Sequence, residues 1–375
     1  MTEEKKEPII FDYPALEEPK TALALQKKKH TPVKIIAALL ALVSLLFHIA
    51  LISEAVDILR KKGSELLFSA VVPDYEISEP LTPEAPEGEL IENDTESDGT
   101  DDPSLIIREG ELSTNAEYGY SLSNETSYSP DLLAIGGRPS PALSYEKITE
   151  LYGKSSPKAL IYHTHATEAF IDCAAQNFRS ANAENSIVSV GEVICEVLSR
   201  AGIEAIHLKD KFDREDFSSA YDKSNSKVKA TLEKHSSIQY VFDIHRDCIG
   251  NSEEGYLKST CDVYGKPAAQ LMFVCGTDEG GSGHTAWRDN LTVALHLQKN
   301  LWQSYDNFVR PVNLRRASFY QNTRPASLLV ECGTCANTLS ESKRAAVLFA
   351  VTLANYIKGK DCGLDAQELI RTLCP

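Results

Sequence analysis

Three apolar runs in this chain each stop abruptly at a residue that can bind a metal or move a proton, and that pattern constrains the fold more than any other feature. The first lies in KALIYHTHATEAF, Lys158 to Phe170. Ala159 to Tyr162 is too short for a helix and is followed at once by polar residues, so it predicts a buried strand. His163 and His165 are two apart, which puts both on one face if the strand continues. His165 and Glu168 are three apart, as on a helical turn or tight loop. The two geometries cannot both hold through His165. Nitrogen and carboxylate donors at the C-terminal edge of a strand suit a zinc site, because an open α/β sheet gathers its ligands there. The alternative makes one histidine a packed core residue and the other a solvated one, and H-T-H-x-x-E alone does not choose between them.

The second run is YVFDIHRD, Tyr240 to Asp247, an apolar strand that ends in His245. If the two strands are parallel neighbours, His165 and His245 come within reach of one ion, with Asp243 or Asp247 available to orient a ring. The third is ASLLVECGTCAN, Ala326 to Asn337, which ends in Glu331. An acid at the exit of a buried strand is costly unless it is solvated, paired or working. Beside a bound zinc it is placed to act as general base for a water. The embedded C-x-x-C, Cys332 and Cys335, invites a redox reading, but a thioredoxin-like motif opens a helix after an early strand rather than following a late one.

From Ser144 onward strand and helix patterns alternate, which predicts a mixed, mostly parallel α/β sheet flanked by helices. Strands are expected near 159–163, 203–208, 240–245, 269–275, 311–315 and 326–332. Helices are expected near 185–200, 222–235, 288–304 and 339–357, with Gly202 as a helix stop and Lys358 favourable to the last helix dipole.

The preceding half reads differently. Residues 1–34 are polar and close on Lys27, Lys28, Lys29 and Lys34, and Ile35 to Ile52 are apolar except for Ser44 and His48. A run of that length spans a bilayer as a helix, here 35–53. Lysines before it and Glu54 and Asp57 after it place residues 1–34 in the cytoplasm and the remainder outside. Cleavage as a signal peptide, near Ser53-Glu54-Ala55, is the competing assignment, and the long flank argues for retention. Residues 54–143 turn rich in Glu, Asp, Pro, Ser and Thr, which predicts a largely disordered acidic linker ahead of a catalytic domain at 144–375.

The formal net charge of −16 excludes a nucleic-acid partner of the usual kind, which needs clustered Lys and Arg. All 9 cysteines lie at or beyond Cys173, at irregular spacing that does not describe a disulfide framework.

The ordered set IYHTHATEAF, VFDIHRD and LLVECGTCANT resembles the stage II sporulation protein P family, and the resemblance extends through SVGEVICEVL, AQLMFVCGT, His284-x-x-Trp287-x-x-Asn290-Leu291 and Asn337-Thr338. It implies a fold similar to the zinc-dependent N-acetylmuramoyl-L-alanine amidases. It also implies one zinc held by His165, Glu168 and His245, with Glu331 as catalytic acid/base. Glu184, ahead of the 185–200 helix, is the rival to Glu168 as second ligand. His163, Arg246, His284 and Asn337 become candidate substrate or oxyanion contacts. Two neutral imidazoles and a carboxylate leave zinc positive with an open fourth position. The family implies a peptidoglycan substrate cut between the lactyl group of muramic acid and L-alanine, with stem-peptide cross-links as a second target. It further implies engulfment in sporulation, sporulation proteins D and M as partners, and a mother-cell membrane facing the septal wall. A zinc endopeptidase acting only on stem peptides and a non-catalytic wall-binding scaffold are the competing functions. Retention of both histidines, Glu168 and Glu331 speaks against a scaffold. Cys248, Cys332 and Cys335 depart from the family pattern, as thiols able to compete for metal.

Overall fold

The computed structural model describes residues 106–110, 112 and 120–374. The expected cytoplasmic tail, membrane span and first half of the acidic linker therefore lie outside the described residues. Among those that are described, no helix is long and apolar enough to cross a membrane.

In chain order the elements begin with strands β1 (Ile107–Gly110) and β2 (Leu122–Asn124), then helices α1 (Leu132–Gly136) and α2 (Tyr145–Tyr152). Next come β3 (Ala159–Tyr162), α3 (Ile187–Arg200), β4 (Ala205–His207), α4 (Ala220–Lys234) and β5 (Tyr240–Asp247). The strands β6 (Gly250–Asn251), β7 (Gly255–Val263) and β8 (Lys266–Ala269) precede β9 (Leu271–Gly276) and α5 (Trp287–Ser304). The chain closes with β10 (Val312–Arg315), β11 (Ala326–Thr334), α6 (Leu339–Lys358) and α7 (Ala366–Leu373).

Seven strands form the main sheet in the order β2-β10-β9-β11-β5-β3-β4. The β11–β9 pair is antiparallel and the other pairs are parallel, so the sheet is mixed and mostly parallel, as expected. Each of the six predicted strands and four predicted helices is present, with α6 running through Lys358 to a left-handed Gly359. A capping box starts that helix: Glu341 N–H donates to the Thr338 hydroxyl and the Glu341 carboxylate accepts from Thr338 N–H.

Alternation along each strand sorts side chains to two faces. Tyr240, Phe242 and Ile244 of β5, and Leu328, Val330 and Cys332 of β11, enter the large core with residues of α3, α5 and α6. The opposite face carries Leu160, Tyr162 and Val241 under Val228 and Leu232 of α4. Further along that face Met272, Val274 and Leu329 pack with Phe319. Asp243, His245 and Glu331 fall on this second face by the same alternation.

The linker expectation is corrected at its C-terminal end. β2 pairs in parallel with β10, and β1 pairs with β7 of a smaller sheet that also contains β6 and β8. Tyr128 stacks on buried Trp287 with ring centroids 5.1 Å apart. Residues 120–143 therefore belong to the folded domain. A disulfide joins Cys248 to Cys335. The two thiols of the C-x-x-C do not pair with each other, because Cys332 points into the large core.

Candidate functional site

The strand β3 ends at Tyr162 and the chain turns through residues 164–167, with Glu168 N–H donating to His165 O at 3.1 Å. The turn geometry therefore prevails over strand continuation. Asp243 drives it from the neighbouring strand: its two oxygens accept from Thr164 N–H at 2.8 Å and Thr164 Oγ1 at 2.6 Å. His165 and Glu168 are consequently brought to β5, while His163 is turned away.

Glu168 sits against the end of β5. Its Oε2 accepts from Arg246 N–H at 3.0 Å and lies 3.4 Å from His245 Nδ1. Burial raises its pKa, but His245 and Arg246 outweigh that and hold it far below the usual carboxylate range. His245 Nε2 lies 2.9 Å from Asp243 Oδ1, out of line for a hydrogen bond, so this is a close ionic contact. Burial lowers the His245 pKa, yet Asp243 and Glu168 pull it well above the ordinary value. His165 is pushed down to about 3, mainly by burial, and is neutral. Its Nδ1 is buried without a hydrogen bond, 3.9 Å from Asp213 Oδ2.

Glu331 is the direct register partner of His245 across the β11–β5 ladder. The residue is partly exposed, but its Oε2 is buried and has no hydrogen-bond partner. Burial first, then repulsion from Asp247 and Glu168, pushes its pKa up to about 8 against the pull of His245. A carboxyl with a raised pKa facing a histidine–carboxylate cluster is poised to accept and return a proton near neutral pH.

The cluster suits zinc in donor type, and its His245–Glu168 pair also suits it in spacing. Ligands bonded at 2.0–2.1 Å to a tetrahedral ion stand roughly 3.4 Å apart, which is the His245 Nδ1 to Glu168 Oε2 distance of 3.4 Å. Asp243 lies beside the far nitrogen, where a carboxylate commonly orients a ligating imidazole. The His165 and His245 ring centroids are 5.5 Å apart and the third donor, His165 Nδ1, is unpartnered. Among the described residues no three His, Cys, Asp or Glu side chains are arranged to hold an ion.

The remaining sequence candidates are placed elsewhere. Glu184 is exposed on the short helical turn Ala183–Asn185, and among the described residues no contact joins it to His165, Glu168 or His245. His163 is fully buried; its Nδ1–H donates to Ile244 O at 2.9 Å and its Nε2 meets His207 Nε2 at 2.8 Å, which gives it a packing role rather than a substrate contact. Gly191 makes room for that pair, since a Cβ there would lie 2.7 Å from both rings. Arg246 is buried and donates to Ala169 O at 3.1 Å and Phe178 O at 2.9 Å, clamping the Glu168 loop onto β5. Asn337 is also buried and spent, accepting from Thr334 N–H at 2.8 Å and donating to Ser259 O and Glu341. His284 follows β9, which runs away from Glu331, so it lies towards the other end of the sheet, where it accepts from Asn290 Nδ2 at 3.1 Å. Of the two candidate orienting acids, Asp243 lies against His245 Nε2 and Asp247 pairs with Arg310 at 2.9 Å.

Three contributors were missed from sequence. Asp213 holds Thr167 Oγ1 at 2.6 Å and Arg179 Nη1 at 3.0 Å under His165. Phe217 stacks on the His165 ring at 4.0 Å, and Tyr221 meets it edge-on at 5.4 Å. Asp213 sits in KDKFDRED, where an acid reads as one more solvated charge, and nothing local marks Phe217.

Fold and site together define an open, mixed α/β domain with a buried histidine–carboxylate cluster at its strand ends. The chain belongs to the stage II sporulation protein P family, whose family model matches residues 71–354. It is 26% identical over 200 residues to stage II sporulation protein P of Bacillus subtilis (strain 168), a match covering 50% of this chain and 47% of that protein. The chain thus spans about half the length of that relative. Among solved structures it is similar to N-acetylmuramoyl-L-alanine amidase AmiC2 of Nostoc punctiforme, with 13% identity and a TM-score of 0.32 over 54% of this chain and 99% of that one.

Proposed function

We propose that the chain is a zinc-dependent peptidoglycan hydrolase that cuts the amide between the lactyl group of muramic acid and L-alanine, anchored by residues 35–53 with its folded domain outside the membrane. One observation carries the reading: an unpartnered, buried Glu331 oxygen stands in register with His245, inside a cluster that also holds His165 and Glu168. Family membership supports a role in sporulation.

His165, His245 and Glu168 are the residues that would hold the metal. When bound, zinc supplies Lewis acidity, acidifying a water and polarising the amide carbonyl. Glu331 accepts the proton of the attacking water at Oε2 and returns it to the departing nitrogen. Asp243 keeps the His245 ring oriented, and Arg246 keeps the Glu168 loop on β5. Phe217 and Tyr221 shield the His165 ring from solvent. Sporulation proteins D and M are the partners this reading expects.

The test is digestion of purified sacculi by the full chain in mild detergent, with zinc, with a chelator, and with the Glu331→Gln variant. Release of stem peptides that begin at L-alanine, dependent on both zinc and Glu331, supports the reading. Fragments cut only within stem peptides would transfer the assignment to an endopeptidase. Release that survives Glu331→Gln at the parent rate sinks the mechanism.

A further inference from the structure

The Cys248–Cys335 disulfide sits just past the two strands that carry the chemistry. Cys248 follows His245 by three residues and Cys335 follows Glu331 by four. β5 and β11 stay in one register from the Tyr240–Ala326 pair to the His245–Glu331 pair, and then slip, so that the next pair is Asp247 with Thr334. β11 therefore carries one extra residue directly after Glu331, a bulge of the kind that re-aims side chains beside active sites. Gly333 lies within it at φ 86°, and a Cβ there would come within 2.7 Å of the Ala269 methyl.

Past Glu331 β11 stays paired with β9 as far as Cys332 and Thr334 is held by Asn337, while the direct ties to the end of β5 are few besides the disulfide. Cys335 N–H donates to Asp247 O at 2.7 Å, and Cys248 N–H donates to the Asp247 carboxylate at 2.8 Å. Thr334 Oγ1 ties the bulge to Leu257 O at 2.6 Å. The disulfide adds a covalent tie just past the bulge, so the strand ends that carry His245 and Glu331 are kept from separating where the ladder is irregular.

We propose that the Cys248–Cys335 disulfide is a positioning cross-link that holds Glu331 opposite His245. This rests on the hydrolase reading above. The oxidised chain is the competent form, and opening the bond lowers turnover without loosening substrate binding. Cys332 takes no part, since its side chain faces the large core on the opposite side of the sheet from Glu331. An extracytoplasmic location agrees with a standing disulfide.

The experiment uses the full chain. A phosphine reductant opens the bond: its phosphorus gives two electrons to the two sulfurs and takes oxygen from a water to become the phosphine oxide, and the two protons of that water complete the thiols. The Cys248→Ser/Cys335→Ser double variant provides the same opening without reductant, and Cys332→Ser is the control. Thiol counting by mass establishes the state of the bond. Steady-state digestion then gives kcat and KM, and zinc titration gives the metal affinity. The expected result is a fall in kcat on the order of 10- to 100-fold with KM nearly constant, as for displaced supporting groups. Reoxidation should restore the reduced chain, and Cys332→Ser should behave as the parent. Zinc binding should weaken on the order of 10-fold on opening. An open bond with parental kcat and zinc affinity overturns the proposal, as does a loss confined to KM. If the oxidised chain binds zinc but releases nothing from sacculi, the hydrolase reading fails separately, and the zinc affinities of the oxidised and reduced chains still decide the cross-link. If the serine variant does not fold, reduction of the folded chain decides.

Discussion

Replacing Glu331 with glutamine should stabilise the metal-free chain and disable the loaded one, because the property that suits this carboxyl to proton transfer also burdens the fold. Burial, with repulsion from Asp247 and Glu168, raises its pKa from 4.5 to about 8. A carboxyl with a higher pKa in the folded state keeps its proton better there than in the unfolded chain. Its stabilising contribution is complete below 4.5 and is lost as pH rises through about 8. At about 1.36 kcal/mol for each pH unit, the ceiling on that loss is roughly 5 kcal/mol. Glu331 is partly exposed, and solvent screening brings the expected figure to about 2 to 3 kcal/mol. Glutamine cannot ionise. In urea titrations of the chelator-treated chain, Glu331→Gln should therefore exceed the parent by that amount at pH 8.5 and match it within about 0.5 kcal/mol at pH 4.5. With zinc restored, the same variant should digest sacculi more slowly by a factor on the order of 100 or more. Coincident unfolding midpoints at pH 8.5 would refute the burial argument, and parental digestion would refute the general base.

The metal set is checked by zinc content: His165→Ala, His245→Ala and Glu168→Ala should each lose zinc on the order of 100-fold in affinity, whereas Glu184→Ala should retain it, given its exposed turn. Arg246→Met should cost about 3 kcal/mol in urea unfolding, since it leaves buried Glu168 without its cationic neighbour and frees two carbonyls of the 169–178 loop. A fragment that begins at residue 120 should resist trypsin, and one that begins at 144 should not, because the latter loses β2 from the sheet and Tyr128 from Trp287. Protease added to intact protoplasts should remove the domain, as residues 27–52 predict, and protection of the domain would reverse that topology.

The centre of the main sheet was legible in the sequence because β3, β5, β9 and β11 are buried on both faces. Runs such as ALIY and LLV have no alternation to be confused with a solvated face, and polar residues bound them sharply. The smaller sheet was illegible for the opposite reason. GYLKSTCDV alternates weakly and is only partly buried, and IREG at its edge keeps its middle residues in solvent and sits within the acidic linker sequence. Within the site the sequence supplied the chemistry of His165, Glu168, His245 and Glu331 but left two geometries open through His165. The deciding contact is distant: Asp243, 79 positions away, takes the Thr164 amide and hydroxyl and ends the strand at Tyr162. That one carboxylate also lies against His245 Nε2, so the residue that bends the first motif into a turn also touches the ring of the second. Asp243→Asn should then couple the two motifs. It weakens the Thr164 turn and the His245 contact together, and zinc affinity should fall even though no ligand has been changed. Parental zinc affinity in that variant would show that the turn and the ring are held independently.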